Sequence, residues 1–280
     1  MTMIHSGALW GHLHYLQFGA PDPAKLAQFA YRALQMTVQQ SGEDWICCAR
    51  DRVLVYSPGP ARTLLSAGYA VAEPGRLAAL KTRLVQHGVV LEPTPLDFFE
   101  DDAVTFRDPD GNRMSFGRPI HRSATAESLP ARLQHLVLAS TDAERMTRFY
   151  TDVVGLRLSD RVLDQQHALR TSFMRTDDEH HSFAVFRAPA ARLDHFSLET
   201  DRWDDIRDWA DHFARTEVPI FWGPGRHGPG NNLFIMVNDP DGNAIEFSAE
   251  ITHHPYPMPP GEWPHAPRTI NLWGSAIMRS

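Results

Sequence analysis

The chain has 280 residues, of which 42% are hydrophobic and 22% charged, enough for two domains of roughly 130 residues each with filled cores. Its net charge of -7, from 34 acids against 27 bases with no long basic run, argues against nucleic acid, and no apolar stretch is long enough to cross a bilayer. The only cysteines, Cys47 and Cys48, are sequence neighbours and give no disulfide framework, so a reducing, cytoplasmic setting is expected.

Taken in chain order, an apolar strand from Tyr15 to Phe18 is followed by an amphipathic helix ending in Phe29–Met36. A strand at Gly68–Val71, a helix at Arg76–His87 and the segment DPDGNRMSF at 108–116 complete the first half. The same order then returns. A strand at His135–Leu138 leads to a helix ending in Phe149–Leu156, then a strand at His195–Leu198, a helix at Trp203–Thr216 and DPDGNAIEF at 239–247. The two nonapeptides match at six of nine positions, and each turn is expected to open the edge strand of a hairpin. Each half thus reads as βαβββ given twice, an α+β arrangement of mixed sheets with helices on one side. Residues between Gly117 and Pro130, rich in Arg, Ser, Pro and Ala, read as the link. The expected division is an N-terminal domain over 1–120, a linker over 121–132, a second domain over 133–250 and a Pro-rich tail over 251–280.

The copies differ in their chemistry. In register, His135 stands opposite Tyr15, Glu246 opposite Ser115, and His195 close to Gly68, so all three metal-capable side chains fall in the second half. Two imidazoles and one carboxylate can occupy one face of an octahedral iron and leave three positions open. Zinc accepts the same set, although no HExxH helix is present. A paired site at His12 and His14 is a weaker alternative. His5, His253, His254 and His265 are read as solvated or structural.

The doubled βαβββ halves, the DPDGNAIEF segment ending in Glu246 and the HxxL strand at His135 resemble the type I extradiol ring-cleavage dioxygenases of the vicinal oxygen chelate superfamily, over nearly all of residues 8–275. The resemblance implies two tandem domains, each a mixed, barrel-like sheet with outer helices, of which only the second binds metal. It implies Fe(II), with Mn(II) as the alternative, held by His135, His195 and Glu246. His181 corresponds to the family's acid/base histidine and His227 to its second-sphere histidine. Strand alternation is expected to turn His181 inward and His180 outward. Phe173, Val137, Met236 and Phe234 make up the expected substrate pocket. Met236 stands where the family carries a tyrosine, so the diol loses one hydroxyl partner there.

The implied reaction is meta cleavage of a catechol-type diol with both atoms of O2 entering the product, in aromatic catabolism, by a homo-oligomer. A hydroquinone-cleaving dioxygenase, or a metal-dependent lyase or isomerase of the same superfamily, is the competing reading. A metal-free binding protein is disfavoured by the histidines. The tail is expected to close over the active-site mouth or to pack as an arm.

Overall fold

Two Asp-Pro-Asp-Gly-Asn turns set the frame of the molecule, which is described by a computed structural model over residues 9–120, 128–254 and 258–278. In the first turn the Asp108 carboxylate accepts from the backbone of Asp110 and Asn112 and from the Asn112 amide, while Gly111 takes a φ of +87°. In the second, Asp239 does the same for Asp241 and Asn243, and Gly242 has a φ of +84°. Left-handed backbone at these glycines, with a side chain standing in for the turn's own hydrogen bonds, is what reverses the chain.

The first half runs β1 (Gly11–Ala20), α1 (Pro23–Ala33), β2 (Thr37–Ser41), β3 (Asp44–Ala49) and β4 (Arg52–Pro58). It continues through β5 (Thr63–Val71), α2 (Pro74–Gln86), β6 (Leu91–Glu92), β7 (Val104–Arg107) and β8 (Arg113–Gly117). The second half repeats this as β9 (Arg132–Ser140), α3 (Ala143–Arg148, extended by a π-helical turn over Phe149–Val154), β10 (Arg157–Leu163), β11 (Leu169–Arg175) and β12 (Phe183–Arg187). Then follow β13 (Arg192–Thr200), α4 (Trp203–Arg215), β14 (Ile220–Arg226), β15 (Leu233–Asn238) and β16 (Ala244–Ala249). Asp22 and Asp142, at equivalent places, cap α1 and α3 by accepting from the backbone of Lys25 and Arg145.

Each half forms one mixed, barrel-like sheet, of eight strands in the order β2-β3-β4-β1-β5-β8-β7-β6 and, with the added β17 (Gly261–Pro264), of nine in the order β14-β15-β16-β13-β9-β12-β11-β10-β17. The turns do open hairpins, β7–β8 and β15–β16, but β8 and β16 lie inside their sheets and are not edge strands. Each also pairs in parallel with the strand that starts the second module, β5 or β13, and so needs partners on both sides. The tail is more structured than its composition suggests. Its β17 adds in parallel to β10, and a short helix α5 (Pro267–Ile270) follows.

Helices cover one face of each sheet. Trp209 on α4 lies 4.5 Å from the ring of Phe247, and strand alternation therefore sends the adjacent Glu246 to the opposite face. The halves meet through a shared core in which Phe18 of β1 packs on Phe196 of β13 at 5.4 Å. Arg52 is buried at this junction. Its guanidinium donates to the carbonyls of Ala131 at 2.5 Å and Leu34 at 3.0 Å and lies over the Trp209 ring at 5.6 Å. Part of the expected linker, residues 121–127, lies outside the described residues, as does His5. Cys47 is buried and Cys48 half-buried, and no helix among the described residues is long and apolar enough to cross a membrane.

Replacing Arg52 leaves buried carbonyls without donors and a gap beside Trp209. Arg52→Ala is expected to lower unfolding free energy by about 3 kcal/mol in denaturant titration, with Arg52→Met losing less because it refills the space.

Candidate functional site

Across the centre of the second sheet, His135 on β9 pairs with Ser197 on β13, which pairs with Glu246 on β16. The corresponding row in the first sheet is Tyr15, Gly68 and Ser115. His195 stands one pleat from Ser197 on the same face, so its counterpart is Ser66 and not Gly68, as the sequence alignment suggested. A gapped comparison could not place a residue to within one pleat between its anchors.

The three side chains converge. Nε2 of His135 is 3.4 Å from Nε2 of His195 and 3.9 Å from Oε1 of Glu246, and Nε2 of His195 is 3.5 Å from Oε2 of Glu246. All three residues are buried. Donors in adjacent positions on a metal stand about 3.0 Å apart in octahedral and about 3.4 Å apart in tetrahedral geometry at bond lengths near 2.1 Å. With one donor atom from each residue the set spans up to 4.8 Å, so the side chains would draw in on binding an ion.

Hydrogen bonding decides what the facing nitrogens carry. Gln134 uses its amide nitrogen to donate to the carbonyl of His181 at 2.6 Å and to Glu179 at 3.1 Å, which leaves its oxygen as the acceptor 2.5 Å from His135 Nδ1. Asp194 offers a carboxylate oxygen 2.8 Å from His195 Nδ1. Both Nδ1 atoms thus donate, and in the neutral imidazoles both Nε2 atoms present lone pairs to each other and to the carboxylate. Burial keeps His135 neutral by pushing its pKa down to about 3. Burial alone would raise Glu246, but the hydrogen bond and charge of His227 override it and bring it to about 2, so the carboxylate stays ionised. Two imidazole nitrogens and a carboxylate, all buried and within 4.8 Å of one another, form a donor set suited to a divalent cation.

Gln134 and Asp194 were not found by sequence reasoning. Each is an extra residue in its strand: pairing skips from Leu133 to His135 on β9 and from Leu193 to His195 on β13. Such bulges bring the side chain preceding a ligand round to support it. The signal was present as a buried polar residue directly before each histidine, against strand alternation.

The surrounding cavity is lined by Val137, Phe173, Phe186 and Trp222 together with the triad, His181 and His227. Pro229, Thr269, Ile270 and Ile277 complete its rim, so the tail contributes to the wall. His181 has its ring 4.6 Å from His135 and 5.0 Å from Phe173, edge to face with the latter. Burial, then the neighbouring histidines, hold its pKa well below the ordinary value. His227 stacks on Phe234 at 4.1 Å, turns Nδ1 to the carbonyl of Ile270 at 2.6 Å and places Nε2 3.5 Å from Glu246.

His181 lines the cavity and His180 does not, although both are buried and lie in the connection between β11 and β12, where strand alternation does not apply. Two other expectations need correction. Phe234 and Met236 do not line the cavity. Phe234 backs His227, and Met236, paired with Glu246 across the strands, is fully buried in a cluster with Phe234 and Trp222. His12 and His14 have ring centroids 6.4 Å apart and gather no third metal donor among the described residues.

Removing the support without touching a ligand tests this geometry. Gln134→Leu and Asp194→Ala are each expected to weaken divalent-metal binding about 10- to 100-fold in calorimetric titration, and His195→Ala to abolish metal retention.

A family model for the Glyoxalase/Bleomycin resistance protein/Dioxygenase superfamily matches residues 132–247, the half that carries the triad. An iron-dependent extradiol dioxygenase of Rhodococcus jostii is 27% identical, over 85% of this chain and 88% of the relative. Among solved structures, homoprotocatechuate 2,3-dioxygenase of Arthrobacter globiformis superposes with a TM-score of 0.83 at 22% identity, over 95% of this chain and 88% of that one. A Mn(II)-bound glyoxalase of Novosphingobium aromaticivorans gives 0.82 at 21% identity, over 98% and 93%. At these identities the two structures speak to the fold alone. The half of the chain that carries the triad thus matches the Glyoxalase/Bleomycin resistance protein/Dioxygenase superfamily model, and a relative similar over most of the chain is an extradiol dioxygenase.

Proposed function

We propose that this chain is an Fe(II)-dependent extradiol dioxygenase acting on a catechol-type diol whose ring is uncharged, with His135, His195 and Glu246 as the metal ligands. The observation that carries this reading is the triad itself: two tautomer-locked imidazoles and a carboxylate on one wall of an aromatic-lined cavity, beside an imidazole that is not a ligand. Bound Fe(II) would supply the Lewis-acidic, redox-active centre that brings diol and O2 together. Iron is named for the Rhodococcus relative, and a carboxylate with two imidazoles also suits Mn(II).

The chain's own residues do the rest. Phe173, Phe186, Val137 and Trp222 sandwich an aromatic ring and exclude water, and the described lining holds no lysine or arginine to receive a carboxylate substituent. His181, neutral in its buried setting, takes a proton from the incoming diol and can return it as the ring opens. His227 is held by Ile270 and by stacking on Phe234, and it presents one nitrogen at the Glu246 side of the cavity. Because the Met236 side chain is buried behind this wall, polar contact with the diol falls to these two histidines.

The test is anaerobic loading with Fe(II) or Mn(II), followed by O2 uptake with catechol, 3-methylcatechol, 2,3-dihydroxybiphenyl, protocatechuate and hydroquinone. A yellow ring-opened product from the uncharged catechols, with protocatechuate at least tenfold poorer in kcat/KM, is expected. O2 uptake with hydroquinone alone would replace the substrate class, and no uptake with any of them would sink the reading. His181→Ala should keep its metal and lose about 100- to 10,000-fold in kcat; equal metal loss in His181→Ala and His195→Ala would overturn the division of roles.

A further inference from the structure

We propose that Asp160 and His180 are positioning residues that fix the tautomer of His181, so that the nitrogen it turns to the cavity carries no hydrogen. The inference rests on the reading of His181 as the acid/base group. It starts at Asp160 on β10, whose carboxylate accepts from the backbone N–H of Gly261 at 3.1 Å and from the indole N–H of Trp263 at 2.7 Å. The oxygen that receives Trp263 is also 2.9 Å from His180 Nε2, so His180 donates there.

A neutral imidazole with its hydrogen on Nε2 has a lone pair on Nδ1. His180 Nδ1 is 2.9 Å from His181 Nδ1, and with His180 in that neutral form His181 is the donor of the pair. His181 is then left with its lone pair on Nε2, the nitrogen available to a diol hydroxyl. The rings are edge to face, and the backbone N–H of His180 is anchored on the carbonyl of Thr252 at 2.8 Å. The relay is thus carboxylate, imidazole, imidazole, with each donor and acceptor assigned by the one before it.

The same carboxylate latches the tail. A side chain at Gly261 would bring its Cβ to 2.3 Å from Asp160, which explains glycine there, and Trp263 packs on the apolar cluster of Val137, Val162 and Phe173. Docking of β17 and the proton state of His181 therefore depend on one residue that does not line the cavity.

The tautomers are read directly from two-bond 1H–15N spectra of the Zn(II)-loaded protein labelled with 15N-histidine, the His181 signals being assigned with His181→Ala. The expected wild-type pattern is hydrogen on Nδ1 of His181 and on Nε2 of His180. In His180→Phe, hydrogen should shift to Nε2 of His181, and in the iron-loaded enzyme kcat should fall at least tenfold with KM changed less than threefold and metal content retained. Asp160→Asn, which keeps an oxygen acceptor, should lose about threefold in kcat against at least tenfold for Asp160→Leu. Hydrogen on Nε2 of His181 in the wild type overturns the proposal, as does a His180→Phe variant with unchanged kcat. If His181→Ala keeps full activity while the wild-type tautomers are as assigned, the acid/base reading fails and the relay stands.

Discussion

The structure depends on an electrostatic conflict. Two imidazole lone pairs and a carboxylate face one another at 3.4 to 3.9 Å inside the protein, away from water. Left alone, such an arrangement would relax by protonation or by turning the rings. The rings are held by Gln134 and Asp194, which require both Nδ1 atoms to donate. A divalent cation resolves the conflict, and the open side toward the cavity is where its remaining positions would lie. Much of the neighbouring architecture, from the bulges in β9 and β13 to the aromatic walls, serves to maintain that conflict in place.

The first half shows the same scaffold with the conflict removed. Its strands carry bulges at His14 and Leu65, the places equivalent to Gln134 and Asp194. The backbone device therefore exists in both copies, and only side chains distinguish them. Tyr15 replaces the first ligand and lays its ring across Gly68, where a Cβ would approach it to 2.1 Å. Phe98 and Phe99 pack on that ring at 5.2 and 5.7 Å and fill what is a cavity in the other half. Burying aromatic surface there gives hydrophobic stabilisation where the other half gathers polar donors. One copy packs aromatic rings where the other opens a cavity beside its His-His-Glu cluster.

What the sequence revealed and what it hid follow from this. The repeated turns, the strand–helix order and the placement of His135, His195 and Glu246 in one half were legible because they are local or recur at matching positions. The bulges were not. Strict alternation assigns Gln134 and Asp194 to the face opposite the ligands, and pairing data are needed to see that it breaks. The same rule has no hold on His180 and His181, which lie in the connection between β11 and β12. Phe234 and Met236 were placed in the cavity by the family resemblance, but the stacking of His227 on Phe234 and the burial of Met236 are tertiary facts. Pairing of the tail strand β17 with β10 joins residues about 100 apart, without a hydrophobic period to announce it.

Gln134 also ties the proposed metal centre to the proposed acid/base residue. Its one amide supports the first imidazole ligand through oxygen and holds the backbone carbonyl of His181 through nitrogen. The nitrogen also meets Glu179, whose carboxylate pairs with Arg132 at the start of the same strand. From the other side, Asp160 reaches His181 through His180 and carries the tail on the same carboxylate. The segment from Glu179 to His181 is thus fixed from two directions, by a network that begins at the metal ligands and by one that begins at β17. Its backbone is set by Gln134 and its proton by Asp160. An acid/base imidazole must hold its position while its protonation changes, and separating the support of the main chain from the support of the ring nitrogen would satisfy both requirements in a connection whose sheet pairing is a single bridge, Glu179 to His253.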